Sequence, residues 1–493
     1  MEDNQNAESS IVPNKVHVTG FPMYTQPQDL ERVFSEYGEV KVDKITKRYA
    51  TLEFNKVEGA KAAIKHSKKV AVYGELIYVR PYYTKPIANT QKKEKPQIDK
   101  GRKILSPHEI LLSGEFDEQL ENIMMAIRLT QEEVKQISEL YSDLERVLQV
   151  AWPGCKAIPF GSITTGLGVK CSDADCFISI PQKLQHANNN YIMKARRVLL
   201  ANKQLFSDIV PIPQAKIPIV KFYHIPTQRQ CDVSFNSPQS IENSKLLAYF
   251  VQLDYRVKSL AILIKYWSKL HGLTGTNLMP NYAMILLVVF YLQQKSILPP
   301  VHSLQSNEFI LDNWNVAFDD VRFASGNTDT LYVLLGGFFL YYKDFNYDKF
   351  IISLYLGKPI SKESFSTVGN EPPEYRLYKE NLQNNKCKPL RTDSLICLQD
   401  PFDHSRNCTV AVYARLANKL FSYISLGATA YEIEESDTFL RAILSMSVQE
   451  NPVVTKKVGP RCIAKNKPAN KKKKAFFHEA FLRARQKSRK KHP

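Results

Sequence analysis

Residues 158–175 read IPFGSITTGLGVKCSDAD, a Phe160-Gly161-Ser162 element that leads through two further glycines into an Asp-x-Asp pair. A Gly-Ser turn exposes backbone N–H groups and a hydroxyl that can cradle phosphate oxygens. Asp173 and Asp175 are two positions apart, so on a strand both carboxylates point to the same face. Such a pair can hold two divalent cations about 3.5 to 4 Å apart, the spacing used for in-line phosphoryl transfer. The stretch therefore predicts a site for two Mg²⁺ or Mn²⁺ ions.

A third carboxylate lies on a later strand-like segment. Residues 218–223 form one β-like run, and after a short turn residues 230–235 form another, with Asp232 in its middle. An unpaired acid among apolar neighbours is costly to bury, and a bound metal would explain it. Alone, an Asp-x-Asp pair is most often solvated or capping, but its combination with the Gly-Ser element and Asp232 is more specific. We predict Asp173, Asp175 and Asp232 as catalytic residues and metal ligands.

The amino-terminal part of the chain follows a different pattern. A strand is predicted at residues 15–18, and residues 28–37 place Leu30, Val33 and Phe34 on one helical face before Gly38. The later elements are strands at residues 40–45 and 49–54, a helix at 58–66 and a strand at 76–82. The order βαββαβ is the ferredoxin-like arrangement.

This segment resembles an RNA-recognition motif, in which aromatic rings on the open sheet face stack on bases. Residues 16–21 resemble the shorter strand motif of that family, with His17 at the stacking position, and residues 47–54 resemble the longer one. The resemblance implies RNA contacts from His17, Tyr49 and Lys47. Thr51 stands where the family usually has a second aromatic, which predicts weaker or accessory RNA binding. The alternative is a sheet face that binds protein.

The carboxylate constellation resembles the nucleotidyltransferase superfamily that includes DNA polymerase β. Within it, the chain is most similar to the non-canonical poly(A) polymerases and terminal uridylyltransferases over most of residues 120–435. Further matching segments lie at 242–247, 256–257, 264–269, 281–283, 334–357 and 398–403. With its amino-terminal RNA-recognition motif, the chain resembles the nuclear uridylyltransferases of U6 small nuclear RNA.

The resemblance implies a set of nucleotide-binding residues. They are Phe160, Gly161, Ser162, Asn243, Ser244, Lys265, Lys269, Asn281, Tyr282, Asp400, Asp403 and Arg406. Lys265 and Lys269 are one helical turn apart, so both ammonium groups can face a triphosphate. Tyr282 is expected to stack on the base and Asn243 to contact the sugar or base. An ordinary core tyrosine and a helix-capping asparagine remain the alternatives at these two positions.

Base selectivity is expected to depend on Arg406. Uridylyltransferases of this type usually have a His three residues after the acidic position held here by Asp403, whereas this chain has Arg406 there and His404 two residues earlier. A guanidinium is donor-only, so it can pair with uracil O4 and conflicts with the adenine amino group. This favours UTP as the substrate. Pairing of Arg406 with Asp403 or with RNA phosphate is the alternative.

Charge and composition suit a nucleic-acid partner. The net charge is +18, and residues 456–493 carry fifteen Lys or Arg against one acid, Glu479. This tail is expected to contact RNA phosphates and to act as a nuclear-import signal, which predicts a nucleoplasmic or nucleolar protein; a solubilising tail is the alternative. The longest apolar run, residues 282–292, is too short to span a membrane, and we expect a monomer without membrane contact.

We therefore expect an α+β chain in which a ferredoxin-like RNA-recognition motif precedes a two-lobed nucleotidyltransferase module with an α/β palm and a mainly helical lobe. The predicted boundaries are 13–84 for the motif, 85–103 for a basic linker, 104–450 for the module and 451–493 for the tail. The palm is expected at about 140–240, and the helical lobe at 104–139 and 241–450. The predicted activity is template-independent addition of UMP to the 3′ end of a small nuclear RNA. A poly(A) polymerase using ATP and a catalytically weak RNA-binding scaffold are the alternatives.

Overall fold

A computed structural model describes most of the chain. The described residues are 11–22, 25–46, 49–67, 69–73, 75–83, 103–185, 190–215, 217–235, 238–366 and 369–448. They belong to two compact units, one within Met1–Asp99 and one within Lys100–Pro493. No helix of this described part has the length and apolar character needed to cross a bilayer.

The first unit is a four-stranded antiparallel sheet with two helices. Its elements are β1 (Ile11–Thr19), α1 (Pro27–Phe34), β2 (Val40–Ile45), β3 (Tyr49–Phe54), α2 (Val57–Lys65), β4 (Ala71–Val72), β5 (Glu75–Leu76) and β6 (Tyr78–Tyr83). The strand order is β2-β3-β1-β6, with the short pair β4-β5 beside it. Val16, Val18, Leu30, Phe34 and Leu52 contribute to its core. The ferredoxin-like arrangement is confirmed.

The last strand of this unit begins later than the sequence predicts. The pattern predicts one strand over residues 76–82, but the structure has two short strands separated at Ile77. Ile77 is fully buried, and its N–H donates to the Val70 carbonyl at 3.0 Å. This bond ties residue 77 to the β4-β5 hairpin, so the main sheet is joined only from Tyr78 onward.

The second unit begins with a palm built on a five-stranded sheet. Its elements are α4 (Gln131–Leu148), β7 (Lys156–Phe160), β8 (Ala174–Ser179), α5 (Tyr191–Ala201), β9 (Phe206–Ile212), β10 (Ile219–His224) and β11 (Arg229–Ser234). Helix α3 (Phe116–Ile127) precedes them, and its buried side chains belong to the hydrophobic core of the helical lobe. The strand order is β7-β8-β11-β10-β9, and β8 and β11 run parallel. Thr130 begins α4 with a capping box in which Glu133 is the partner.

The two faces of the palm sheet differ in character. Along β8, Ala174, Cys176 and Ile178 alternate inward and belong to the core that α4 and α5 cover. Asp175 lies between them in sequence and so points to the opposite face. The period of two in the sequence thus separates the core residues from the acidic ones.

The remaining elements form a mainly helical lobe with small sheets. They are α6 (Gln239–Leu253), α7 (Tyr255–Leu270), α8 (Asn281–Gln294), β12 (Ile310–Leu311), β13 (Trp314–Asn315), α9 (Leu331–Lys343), β14 (Phe350–Ser353), β15 (Lys358–Ser361), α10 (Arg376–Gln383), β16 (Leu398–Gln399), α11 (Ala414–Ile433) and α12 (Ser436–Ser445). Helix α8 is buried from Ala283 to Gln293. Leu335, Phe338 and Phe339 of α9 are fully or almost fully buried, so this apolar and aromatic stretch packs the lobe.

Candidate functional site

A cavity of about 610 Å³ lies between the palm sheet and helices α6, α7 and α8 of the second unit. Its lining includes most of the residues that the sequence singles out. These are Phe160, Gly161, Ser162, Asp173, Asp175, Asp232, Asn243, Ser244, Lys265, Lys269, Asn281, Tyr282 and Arg406. Segments distant in sequence therefore meet in one concave space of a size that accommodates a small molecule.

The carboxylates lie at the floor of this cavity. Asp175 of β8 and Asp232 of β11 are register partners on neighbouring parallel strands, so their side chains leave the sheet side by side. Asp173 precedes β8 by one residue and is exposed to the cavity. Arg229 of β11 is buried and donates to the Ser172 carbonyl at 2.6 Å, which holds the backbone directly before Asp173.

Burial and the crowding of carboxylates change the acidity of Asp175. Burial, followed by the neighbouring charges of Asp232 and Asp173, raises the pKa of Asp175 to about 8. A hard divalent cation prefers such carboxylate oxygens and would relieve their mutual repulsion, so these residues fit Mg²⁺ or Mn²⁺. However, among the residues that the structure describes, no three His, Cys, Asp or Glu side chains converge into a preformed metal-ligand group.

Lys221 pairs with the third carboxylate, a contact that the sequence did not predict. Lys221 of β10 is the register partner of Asp232, and its Nζ lies 3.0 Å from Asp232 Oδ1. Burial opposes the charge of this lysine, but Asp232 holds its pKa above the ordinary value. An ammonium group thus already offsets part of the cost of burying Asp232, and the role of Asp232 as a metal ligand stays a prediction. The hairpin register of residues 218–223 and 230–235 could have revealed this pair.

Two lysines of α7 lie above the carboxylates. Lys265 is buried and donates to the Leu167 carbonyl at 2.9 Å and to Ser172 Oγ at 3.0 Å. Burial and the adjacent Lys269 lower the pKa of Lys265 to about 7. Lys269 also lines the cavity, with Nζ 3.8 Å from Cys171 Sγ. Anionic oxygens entering here would meet two amines, one of which is poised to gain a proton.

The Gly-Ser element connects the palm to α6. The Gly161 N–H donates to Ser244 Oγ at 2.8 Å, and that hydroxyl donates to the Ser240 carbonyl at 2.8 Å. Ser162 follows Gly161 at the cavity lining. Ser244 therefore fixes the turn that the sequence predicts as a phosphate cradle.

A polar network centred on Asp400 adjoins the cavity through Asn243, Tyr282 and Arg406, although Asp400 itself does not line it. This buried carboxylate receives hydrogen bonds at Oδ2 from Tyr282 Oη at 3.4 Å and from Asn243 Nδ2 at 3.5 Å. Arg406 Nη1 lies 3.6 Å from the same oxygen. Burial alone would lower the pKa of Arg406, but the charge of Asp400, together with other neighbours, raises it above its ordinary value. Arg406 thus pairs with Asp400, and Asp400 orients the guanidinium that lines the cavity.

Two amide oxygens of this region lack donors. Within the described ranges, Oδ1 of Asn243 and Oδ1 of Asn281 are buried without a hydrogen-bond partner. Both residues line the cavity. A buried acceptor without a donor costs free energy, so a ligand that offers hydroxyl or N–H groups would be stabilised here.

Asp403 joins this network through its backbone N–H, which donates to Asp400 Oδ1 at 3.2 Å, whereas His404 packs against aromatic rings. The Asp403 carboxylate accepts hydrogen bonds from Ser405 N at 3.1 Å and from Ser405 Oγ at 2.6 Å, and these bonds shape the turn before Arg406. Asp403 does not line the cavity. The His404 ring packs between Tyr355, at 4.1 Å between centroids, and Tyr375, at 5.0 Å. Burial lowers the pKa of His404 to about 3. His404 therefore does not replace the histidine that the sequence comparison with uridylyltransferases expects.

The sheet face of the first unit carries the two rings that the sequence predicts. His17 and Tyr49 are stacked with centroids 5.0 Å apart, and Lys44 Nζ lies 5.7 Å from the Tyr49 centroid. Thr51 is buried, and its Oγ1 donates to Asp43 Oδ2 at 3.4 Å. The predicted RNA contact at Lys47 lies outside the described residues. The face thus offers an aromatic patch beside a polar region.

Comparison with protein families identifies three segments. Residues 16–77 match the RNA recognition motif, residues 116–252 match the central palm domain of the mitochondrial-like poly(A) RNA polymerases, and residues 330–406 match the Cid1 family poly A polymerase. The chain therefore contains an RNA recognition motif followed by a nucleotidyltransferase palm and a helical PAP-associated region.

Curated relatives share low sequence identity with the chain. The speckle targeted PIP5K1A-regulated poly(A) polymerase of Danio rerio is 25% identical over 405 residues, which cover 69% of this chain and 49% of the relative. The mitochondrial poly(A) RNA polymerase of Mus musculus is 28% identical and covers 58% of this chain and 54% of the relative. Terminal uridylyltransferase 7 of Homo sapiens is 26% identical, and the match covers 59% of this chain and 19% of the relative. The chain spans about half the length of the first two.

Solved structures share the fold. The Cid1 poly(U) polymerase with Mg and 3′-dATP bound has a TM-score of 0.54 at 23% identity, covering 65% of this chain and 95% of that one. The structure of mtPAP in complex with ATPγS has a TM-score of 0.58 at 20% identity, and the match covers 88% of this chain and 96% of that one. The predicted fold class is confirmed.

Proposed function

We propose that the chain is a template-independent RNA nucleotidyltransferase that adds UMP from UTP, in preference to AMP from ATP, to the 3′ end of a small nuclear RNA such as U6. The observation that carries this proposal is the meeting of Asp173, Asp175 and Asp232 with Lys265 and Lys269 in one cavity. Relatives of both kinds, poly(A) polymerases and a uridylyltransferase, support the reaction class.

The residues of the cavity divide the chemistry among them. Asp173, Asp175 and Asp232 would hold Mg²⁺ or Mn²⁺, which when bound polarises the phosphoryl oxygens and lowers the pKa of an attacking hydroxyl. Lys265 and Lys269 bind the triphosphate, and the Gly161-Ser162 turn cradles it from the palm side. Asp232 accepts the proton of the RNA 3′ hydroxyl. The new bond joins this oxygen to the α-phosphorus, and the bond to the β-phosphate breaks and releases pyrophosphate.

Base choice rests on the network around Asp400. The ring of Tyr282 stacks on the base, while Asn243 and Asn281 accept hydrogen bonds from the sugar or base at their unpartnered oxygens. Arg406 remains partly exposed to the cavity, with 28% of its side chain accessible, and presents donor groups. Donors match uracil O4 and meet the adenine amino group donor to donor. This mismatch favours UTP.

A poly(A) polymerase that uses ATP is the second candidate. Two of the three matched family models and two of the relatives described above carry that name. The structural fold accommodates either base, since mtPAP has been solved with ATPγS and with UTP.

The location and the second RNA contact are also proposals. We infer a nuclear protein because residues 456–493 carry fifteen basic residues and one acid, and because one relative is named as speckle targeted. Stacking on His17 and Tyr49 would supply an accessory RNA contact. The basic tail would add sequence-independent affinity for RNA phosphates.

Separate incubations with UTP and ATP test the base choice. Purified protein is mixed with Mg²⁺, an oligoribonucleotide and one nucleotide at a time, and extension is measured. We expect wild type to use UTP at least about tenfold better than ATP, because leaving a buried donor unpaired costs on the order of 1–3 kcal/mol. Arg406→Ala should narrow this ratio mainly by losing UTP use.

The control is Arg391→Ala, which removes an exposed guanidinium that pairs with Asp393 at 3.1 Å. This variant should keep the wild-type ratio. Equal use of UTP and ATP by wild type, or an unchanged ratio in Arg406→Ala, would contradict the role of Arg406 and favour the poly(A) polymerase.

A further inference from the structure

Three side chains stand side by side across the floor of the cavity. Asp175 on β8, Asp232 on β11 and Lys221 on β10 occupy one level of the palm sheet, as the registers of the two strand pairs show. All three line the cavity. The palm thus carries a lysine in the same row as two of the predicted metal ligands.

The Lys221 ammonium contacts one carboxylate oxygen of a predicted metal ligand. Its Nζ lies 3.0 Å from Asp232 Oδ1, and both side chains are about three-quarters buried, with 28% and 24% exposed. A cation bound to that oxygen and the ammonium group would occupy overlapping space and carry like charges. Partial burial weakens the screening between such charges by solvent.

The other two lysines of the cavity have different contacts. Lys265 donates to the Leu167 carbonyl and Ser172 Oγ, and Lys269 lies near Cys171. Among the ion pairs within the described part of the chain, the pair with Lys221 is the one that involves Asp173, Asp175 or Asp232. Lys221 therefore supplies the direct positive contact to this cluster.

We propose that Lys221 is a built-in counter-cation of the carboxylate cluster, which holds Asp232 in place and competes with divalent cations for its Oδ1. This inference rests on the proposed function only in requiring that the cluster bind Mg²⁺ or Mn²⁺. Lys221 is a positioning residue in this scheme. It sets how tightly the site holds metal and links metal entry to release of the ammonium group from Asp232.

Equilibrium binding of Mn²⁺ tests the competition without any turnover. Free Mn²⁺ is measured by electron paramagnetic resonance in titrations of the full chain, without RNA or nucleotide. Lys221→Met keeps the apolar stem but removes the charge, and we expect its cluster to bind Mn²⁺ at least about threefold more tightly than wild type. Asp232→Ala identifies the part of the binding that belongs to the cluster.

Thermal unfolding gives a second readout. In EDTA, Lys221→Met should unfold at a lower temperature than wild type, because the clustered carboxylates lose their internal cation. Added Mn²⁺ should raise its unfolding temperature by more than it raises that of wild type. Lys221→Arg retains the charge and should behave like wild type in both measurements.

Lys156→Met is the matched control. Lys156 also lies on a strand of the palm and pairs with a carboxylate at 3.0 Å, that of Glu145, but it is outside the cavity lining. Its variant should leave Mn²⁺ affinity unchanged. Unchanged or weaker Mn²⁺ affinity in Lys221→Met, or no loss of Mn²⁺ binding in Asp232→Ala, would overturn the proposal.

The outcomes separate this proposal from the proposed function. If wild type extends RNA but Lys221→Met has unchanged Mn²⁺ affinity, only the proposed competition is overturned and the proposed function stands. Tighter Mn²⁺ binding by Lys221→Met supports the competition, even if wild type fails to extend RNA and the proposed function falls.

Discussion

Gly161 meets two separate constraints at the wall of the cavity. Its φ of +80° lies in the left-handed region, which side chains with a Cβ rarely adopt. A Cβ at this position would also lie 2.3 Å from Asp175 Oδ2. The residue therefore permits the turn and leaves room for a carboxylate at the same time.

Replacement of Gly161 by alanine tests the backbone constraint and the contact with Asp175, and replacement of another glycine controls for the general effect of losing a glycine. We expect Gly161→Ala to lower stability by about 1–2 kcal/mol through backbone strain, and to reduce nucleotide addition further because Asp175 is displaced. Gly326→Ala is the control, since Gly326 has open space around its Cβ position. Thermal unfolding and primer extension report the two effects. Wild-type extension by Gly161→Ala would show that the position of Asp175 is not critical.

Single residues also mark what the sequence could predict about the site. The acids on one strand face followed from their spacing of two, because alternation is a local property. The pairing of Arg406 with Asp400 was not predicted, since it depends on a tight turn in which Asp400 N–H donates to the Arg406 carbonyl at 3.0 Å. Local patterns indicate which face a side chain occupies, whereas partners require the three-dimensional fold.

At the scale of elements, strands with clear alternation were predicted and an irregular edge strand was missed. β2 and β3 have the predicted limits, residues 40–45 and 49–54. β9 was not predicted, although it completes the palm sheet. It contains Pro211 and a positive φ of 50° at Asp208, both of which obscure the strand pattern. An edge position tolerates them, because one side of the strand needs no ladder bonds.

The turn that follows β16 buries a neutral histidine. Between pH 6.5 and about 3, the unfolded chain binds a proton at His404 that the folded chain excludes. The contribution of His404 to the free energy of unfolding is therefore fully present above pH 6.5, and it is lost as the pH falls from 6.5 towards 3. At pH 5 the loss would be up to about 2 kcal/mol.

His404→Phe keeps a ring in the aromatic cluster and removes the titration. We expect the difference in unfolding free energy between pH 7 and pH 5 to shrink in this variant, whereas His108→Phe, at an exposed histidine, should retain the wild-type difference. The UTP-to-ATP ratio should stay unchanged, because His404 lies outside the cavity. An unchanged pH dependence, or an altered nucleotide ratio, would contradict this assignment.

At the scale of the whole molecule, the order of the two kinds of fold was readable from the sequence, because each has its own periodicity and is confined to its own part of the chain. The βαββαβ pattern lies within residues 11–83, and the palm and helical lobe lie within 103–448. The cavity itself could not be derived in this way. It joins Gly161, Asp232, Asn281 and Arg406, whose separations in sequence exceed 40 residues. Only tertiary packing brings such residues together.

The three carboxylates of the cavity are proposed to catalyse nucleotide addition and not to hold the RNA. The most direct test is extension of an RNA oligonucleotide with UTP and Mg²⁺ by Asp173→Ala, Asp175→Ala and Asp232→Ala, with RNA affinity measured in parallel. The control, Asp393→Ala, removes an exposed carboxylate paired with Arg391. We predict that each cluster variant loses at least about 100-fold in rate, because metal assistance contributes several kcal/mol, while RNA affinity stays nearly constant. Substantial extension by Asp232→Ala would contradict a catalytic role for the carboxylates.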